Sequence, residues 1–231
     1  MSWTKLLRWA AIVSVLDVVL INVFAGIIPP LLVFALLWIA GIAWLTRATK
    51  GPAILLLVAF VGHIVLGARF VIPTLTVPAS AGDFVLNVLG LIVSIVGIVA
   101  AVQVIRGATE EAPAARSLAT VAAAVFVVLT AFSIFSLVTY DSAVAQEGDV
   151  EIVTEDIEFD PESIDVEAGQ VSVFVDNKDT VLHTFTIDDL DVDLDIPAGK
   201  AARVTFDAEV GDYEFFCAPH KGDMEGTLTV Q

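Results

Sequence analysis

Five apolar stretches, at residues 6–28, 29–45, 52–72, 83–105 and 118–140, follow one another with little polar sequence between them. Each is near the roughly 20 residues that a helix needs to cross the hydrocarbon core of a bilayer. A buried helix of a water-soluble protein can be equally apolar, but five in succession could not all find a soluble core. The sequence therefore predicts a five-helix transmembrane bundle over residues 1–140. The second stretch is the shortest, and Gly26 with Pro29 and Pro30 marks a tight turn before it.

Charge divides the chain in the same place. Residues 1–140 carry a net +3, whereas residues 141–231 hold 24 of the 28 acids against four bases, a net −20. A membrane domain carrying a soluble acidic one is the expected organisation: 1–140 in the bilayer, 141–148 as linker, 149–231 as the soluble domain. Loop charges set the orientation. Lys5, Arg8, Arg47, Lys50, Arg106 and Arg116 would fall on one side and Arg69 alone on the other. The positive-inside rule then puts the N-terminus in the cytoplasm and, after five crossings, the C-terminal domain outside it.

Span one is long for the apolar core of a signal peptide and is read as a retained helix. Ala143-Val-Ala145 resembles a cleavage site but reads better as linker. The acids of the soluble domain are scattered from Glu147 to Glu225, which suits a solvated surface, although they would also steer a basic partner at low salt. Their sign excludes nucleic acid as a partner.

In the soluble part, short strands are expected near 151–154, 170–175, 183–187, 202–206, 213–217 and 226–230, with Gly169, Asn177, Gly199, Gly211 and Gly222 at turns between them. This spacing predicts an all-β Greek-key sandwich. Alternation puts His183, Phe185 and Ile187 on one strand face with Thr184 and Thr186 on the other, and it groups Tyr213, Phe215 and Cys217. A histidine and the only cysteine thus point with core residues.

Cys217, His220 and Met224 lie within eight residues, and His183 supplies a second imidazole. Taken singly, His183 would be a core histidine and Met224 would be packing. Together, a thiolate, two imidazoles and a thioether are the donor set of a copper site that cycles between two oxidation states. A structural zinc site would use several cysteines and no thioether.

The ordered stretches Ile157-Glu-Phe-Asp-Pro161, Val166-Glu-Ala-Gly169, Val175-Asp-Asn-Lys-Asp179, His183-Thr-Phe, Ile196-Pro-Ala-Gly199 and Gly211-Asp-Tyr-Glu-Phe-Phe-Cys-Ala-Pro-His220 make residues 149–231 resemble a cupredoxin of the plastocyanin, pseudoazurin and halocyanin kind. The resemblance implies one type 1 copper per chain, with His183, Cys217 and His220 as equatorial ligands and Met224 as the axial one. It also implies that the edge of His220 is the exit for the electron, where a redox protein of cytochrome or oxidase type docks transiently. Three residues separate His220 from Met224, against four in plastocyanin-like and two in amicyanin-like loops, so the strength of the axial bond stays open.

The function expected is a membrane-anchored blue copper electron carrier on the extracytoplasmic face, not an enzyme. Two other readings use the membrane half: copper storage, delivery or sensing, and quinol-linked redox catalysis. The first lacks a Met- or His-rich tract, and the second rests on Asp17 and His63, placed at similar depths in spans one and three. The bland reading of that pair is a hydrogen bond between helices. A bis-histidine haem would need a second histidine in the membrane half, where His63 is the only one.

Overall fold

The computed structural model describes every residue except Thr109. Five helices come first: α1 (Trp3–Phe24), α2 (Pro29–Trp44), α3 (Lys50–Thr76), α4 (Ala81–Ile105) and α5 (Pro113–Thr139). Nine strands follow: β1 (Val150–Glu155), β2 (Glu158–Asp160), β3 (Ser163–Val166), β4 (Gly169–Asn177), β5 (His183–Ile187), β6 (Val192–Ile196), β7 (Ala201–Ala208), β8 (Gly211–Phe216) and β9 (Glu225–Val230). The chain divides into two compact units, one of Met1–Leu75 with Phe84–Phe132 and one of Thr76–Asp83 with Ser133–Gln231.

In the first unit, α1, α3, α4 and α5 are long and apolar enough to cross a membrane. With 16 residues, α2 is shorter than the others and spans about 24 Å at 1.5 Å per residue. Ser2 caps α1 by accepting the Lys5 N–H at 3.2 Å. The α1–α2 turn needs Gly26, whose φ is +79°, and is closed by Asn22, which accepts the Ile28 N–H at 2.7 Å and donates to the Val18 carbonyl at 2.8 Å. Pro29 and Pro30 then open α2, where their missing N–H groups cost nothing.

Leu7, Ala11, Val18, Trp38, Leu56, Phe60, Ala100 and Val104 form the core of this unit. Large side chains meet small ones there: a Cβ on Gly97 would sit 2.3 Å from the Phe60 ring, so only glycine lets α4 approach α3 this closely. Outward, α5 presents Val121, Val125, Val128, Phe132 and Phe135 exposed, an apolar face suited to lipid.

In the second unit, β2-β1-β4-β7 make one sheet and β3-β9-β8-β5-β6 the other. The pairs β1–β4 and β3–β9 are parallel and the remaining pairs antiparallel. The core between the sheets is built by alternation, as in β4, where Val171, Val173 and Val175 are buried. Phe159, Phe185 and Phe215 cluster at its centre, with the Phe215 ring centroid 5.1 Å from each of the other two.

The sandwich is as expected, but three strands were missing from the sequence reading: β2, β3 and β6. All three alternate apolar residues with acids or serine, and the first two are only three and four residues long. A second difference concerns β5, which is buried along its whole length. The face bearing Thr184 and Thr186 is covered and satisfied internally. The two hydroxyls lie 2.9 Å apart, and Thr186 donates to Asp193 at 3.0 Å.

Candidate metal centre

Three potential metal donors converge at one end of the sandwich. His183 opens β5, Cys217 follows β8, and His220 ends a single 3-10 turn, Ala218–His220, with Pro219 at its centre. Their donor atoms all lie within 4.8 Å of one another. Cys217 Sγ is 3.5 Å from His183 Nδ1 and 3.3 Å from His220 Nδ1, separations that suit atoms arranged around one ion with bonds of about 2 Å. The Met224 side chain is buried in the same core cluster as Cys217. His183, Cys217 and Met224 are inaccessible to water and His220 is half-buried.

Backbone bonds lock the loop between β8 and β9. The Cys217 N–H donates to the Met224 carbonyl at 3.0 Å, the His220 N–H to the Cys217 carbonyl at 3.0 Å, and the Met224 N–H to the His220 carbonyl at 3.1 Å. Thr184 ties this loop to β5: its N–H donates to Cys217 Sγ at 3.4 Å, and its hydroxyl accepts the Ala218 N–H at 2.8 Å. The thiol is therefore held by hydrogen bonds before any ion arrives. Burial pushes it up to about 11, while the Thr184 N–H opposes that shift, so without an ion the group remains a thiol at neutral pH. Burial lowers His183 below its ordinary value, partly countered by Asp179, leaving a neutral imidazole ready to donate an electron pair.

Two polar residues whose roles the sequence reading missed position His183. Asp179 Oδ2 lies 2.8 Å from His183 Nε2, the carboxylate–imidazole arrangement that fixes ring orientation and leaves Nδ1 free to bind. Burial pushes the Asp179 carboxyl up, but the N–H groups of Ile157 and Asp156 and the His183 ring together hold it below its usual range. Asn177 is fully buried and ties three chain segments together. It donates to the carbonyls of Val181 and Ile196, both at 2.9 Å, and accepts from Thr154 Oγ1 at 3.2 Å and the Asp179 N–H at 2.9 Å.

The segment Thr76–Asp83 belongs to this unit and braces the same region. Asp83 accepts the N–H of Leu182, the residue before His183, and Ser80 Oγ accepts the Ala198 N–H at 3.2 Å and donates to Asp83 at 3.0 Å. Ser133 donates to the Pro78 carbonyl at 2.7 Å. Partners 99 residues apart, such as Asp83 and Leu182, leave no local signal in sequence.

A two-sheet sandwich with a sulfur–imidazole donor set at one end defines a β-domain whose side chains could hold one metal ion. A model of the cupredoxin-like domain matches residues 121–230. The plastocyanin of Nostoc punctiforme is 33% identical over 127 residues, covering 47% of this chain and 90% of the relative. Among solved structures, amicyanin from Paracoccus versutus is 19% identical over 38% of this chain and 85% of its own, with a TM-score of 0.32. A reduced Cu(I) form of an amicyanin variant is likewise 19% identical, over 40% and 90% of the two chains, with a TM-score of 0.34. The chain belongs to the cupredoxin family, whose members are blue copper electron-transfer proteins.

Proposed function

We propose that the protein is a membrane-anchored type 1 copper protein that passes single electrons between redox partners on the extracytoplasmic face. His183 Nδ1, Cys217 Sγ and His220 Nδ1 would hold one copper ion, and the Met224 thioether would serve as a fourth donor. The observation that carries this reading is the convergence of those three donor atoms within 4.8 Å, at a buried site of mixed sulfur and nitrogen character. Bound copper would supply a centre that gains and loses one electron while sulfur and imidazole accommodate both oxidation states.

The chain's own residues account for the rest of the task. Asp179 and the closed 217–224 loop keep the donors in place, so little need move when charge changes. The apolar surround of Phe185, Phe215 and Met224 excludes water. His220 alone among the donors reaches the surface, which makes its ring edge the exit for the electron and the centre of a small, transient docking surface. The partner is a redox protein of cytochrome or oxidase type, and no substrate is chemically transformed.

The same reading places the N-terminal end of α1 in the cytoplasm, with α2 as a fifth crossing. Its 16 residues can cross a locally thinned bilayer, and Arg47 and Lys50 just after it then share a side with Lys5 and Arg8.

The test is addition of Cu(II) to the full-length protein in detergent. One equivalent should produce an intense visible thiolate-to-copper band that a one-electron reductant bleaches reversibly. A colourless adduct, or one that cannot be cycled, would sink the assignment. Met224→Leu should keep the band and raise the reduction potential, because losing a thioether donor costs the Cu(II) state more. The rise is about 60 mV for each tenfold loss of Cu(II) preference, read by redox titration.

A further inference from the structure

The helical unit contains a second group of chemically capable side chains, unrelated to the cupredoxin site. On one face of α1, Ser14 and Asp17 are each 1% exposed. Both carboxylate oxygens of Asp17, the Ser14 hydroxyl and the Trp38 indole N–H on α2 have no hydrogen-bond partner among the described residues. Opposite them, His63 on α3 lies with Nδ1 3.1 Å from Ser94 Oγ on α4, and Phe34 and Trp38 stand edge-on to its ring at 5.7 and 5.2 Å.

Gly90 on α4 brings the two halves together. A Cβ there would lie 2.8 Å from Asp17 Oδ2 and 3.4 Å from His63 Cε1, so the carboxyl and the imidazole meet over bare backbone. The direct Asp17–His63 hydrogen bond expected from sequence is not formed, since the Asp17 oxygens are unpartnered.

A carboxylate with no donor in an apolar bundle costs several kcal/mol and must be neutralised. A metal cation is a poor solution: hard ions want about six oxygens, and the side chains here offer only the Asp17 pair and the serines. One imidazole without a thiolate is equally poor for a soft ion. A proton needs no such cage. Other charges are remote along their helices. Lys5 and Arg8 precede Asp17 by nine residues or more, Lys50 and Arg69 are thirteen and six residues from His63, and Asp83 is eleven residues before Ser94. α2 has no ionisable side chain, and Arg116 lies at the start of α5.

We propose that Asp17 and His63, with Ser14, Ser94 and Trp38 around them, form a proton-binding site inside the membrane half, where a proton is taken up and released within the bundle. The site stands apart from the copper reading and survives its failure.

The test is pH-difference infrared spectroscopy of the full-length protein in liposomes. At neutral pH the carbonyl stretch of a protonated carboxylic acid should be present, should vanish in Asp17→Asn, and should disappear at a different pH in His63→Gln. Absence of the band at neutral pH, its persistence in Asp17→Asn, or an unaltered pH course in His63→Gln each overturns the proposal. So does loss of the band when sodium replaces an organic cation, which would assign the site to an alkali ion instead. If Asp17→Asn fails to fold, the His63→Gln and sodium arms still decide.

Discussion

Cys217→Ala is expected to give a folded, colourless protein. The side chain is fully buried in the core of the sandwich, so truncation leaves a small cavity and deprives the Thr184 N–H of its sulfur acceptor, together costing about 1–2 kcal/mol. The effect on the colour is total, because no other thiol exists to give a thiolate-to-copper band. A coloured Cys217→Ala protein would refute the proposed ligand set.

The same residue has a signature without metal. In the unfolded chain a thiol loses its proton near pH 8.5, whereas burial holds that of Cys217 up to about 11. Between those values the unfolded state binds fewer protons than the native one, so stability falls as pH rises, by as much as about 1.4 kcal/mol per unit. Metal-free protein should therefore lose roughly 2–3 kcal/mol more than Cys217→Ala between pH 8.5 and 11. Pulse proteolysis in urea compares the two. Parallel pH courses would mean that the thiol is not desolvated as the structure has it.

What could be read from sequence is what repeats or clusters locally. The apolar stretches gave the helices because a helix that faces lipid must be apolar nearly all round, and α5, barely buried by its neighbours, is the clearest case. The closeness of Cys217, His220 and Met224 could be read because one loop carries them, and the inward placement of His183 because it stands in phase with Phe185 and Ile187. The residues that hold His183 were not legible as such. Asn177 looked like a turn residue and Asp179 like one acid among many, since their partners, Thr154, Ile196 and His183, are brought to them only by folding. Strand β6 was hidden for a related reason. Val192-Asp-Leu-Asp-Ile196 has the period of a strand, but its acids resemble the solvated surface around it. Thr184 and Thr186 show the converse, polar residues on a covered face whose hydroxyls bond to each other and to the loop.

Asn177→Ala should be among the most damaging single changes in the sandwich. The side chain is the common partner of β1 through Thr154, of the segment leading to His183 through Val181 and the Asp179 N–H, and of the end of β6 through Ile196. All of this lies where water cannot enter to replace the lost bonds, so several donors and acceptors are left unpaired at once. Losses of this kind do not simply add, and we expect about 3 kcal/mol in total. In hydrogen exchange of the full-length protein, that corresponds to roughly 100-fold faster exchange of the slowest β4–β7 amides. Because Asp179 and His183 lie just beyond the freed turn, copper uptake should weaken as well, and Asn177→Asp, which keeps the acceptor but loses the donors, should not restore it. Unchanged exchange in β4 and β7, with full copper uptake, would show that these bonds do not hold the site together.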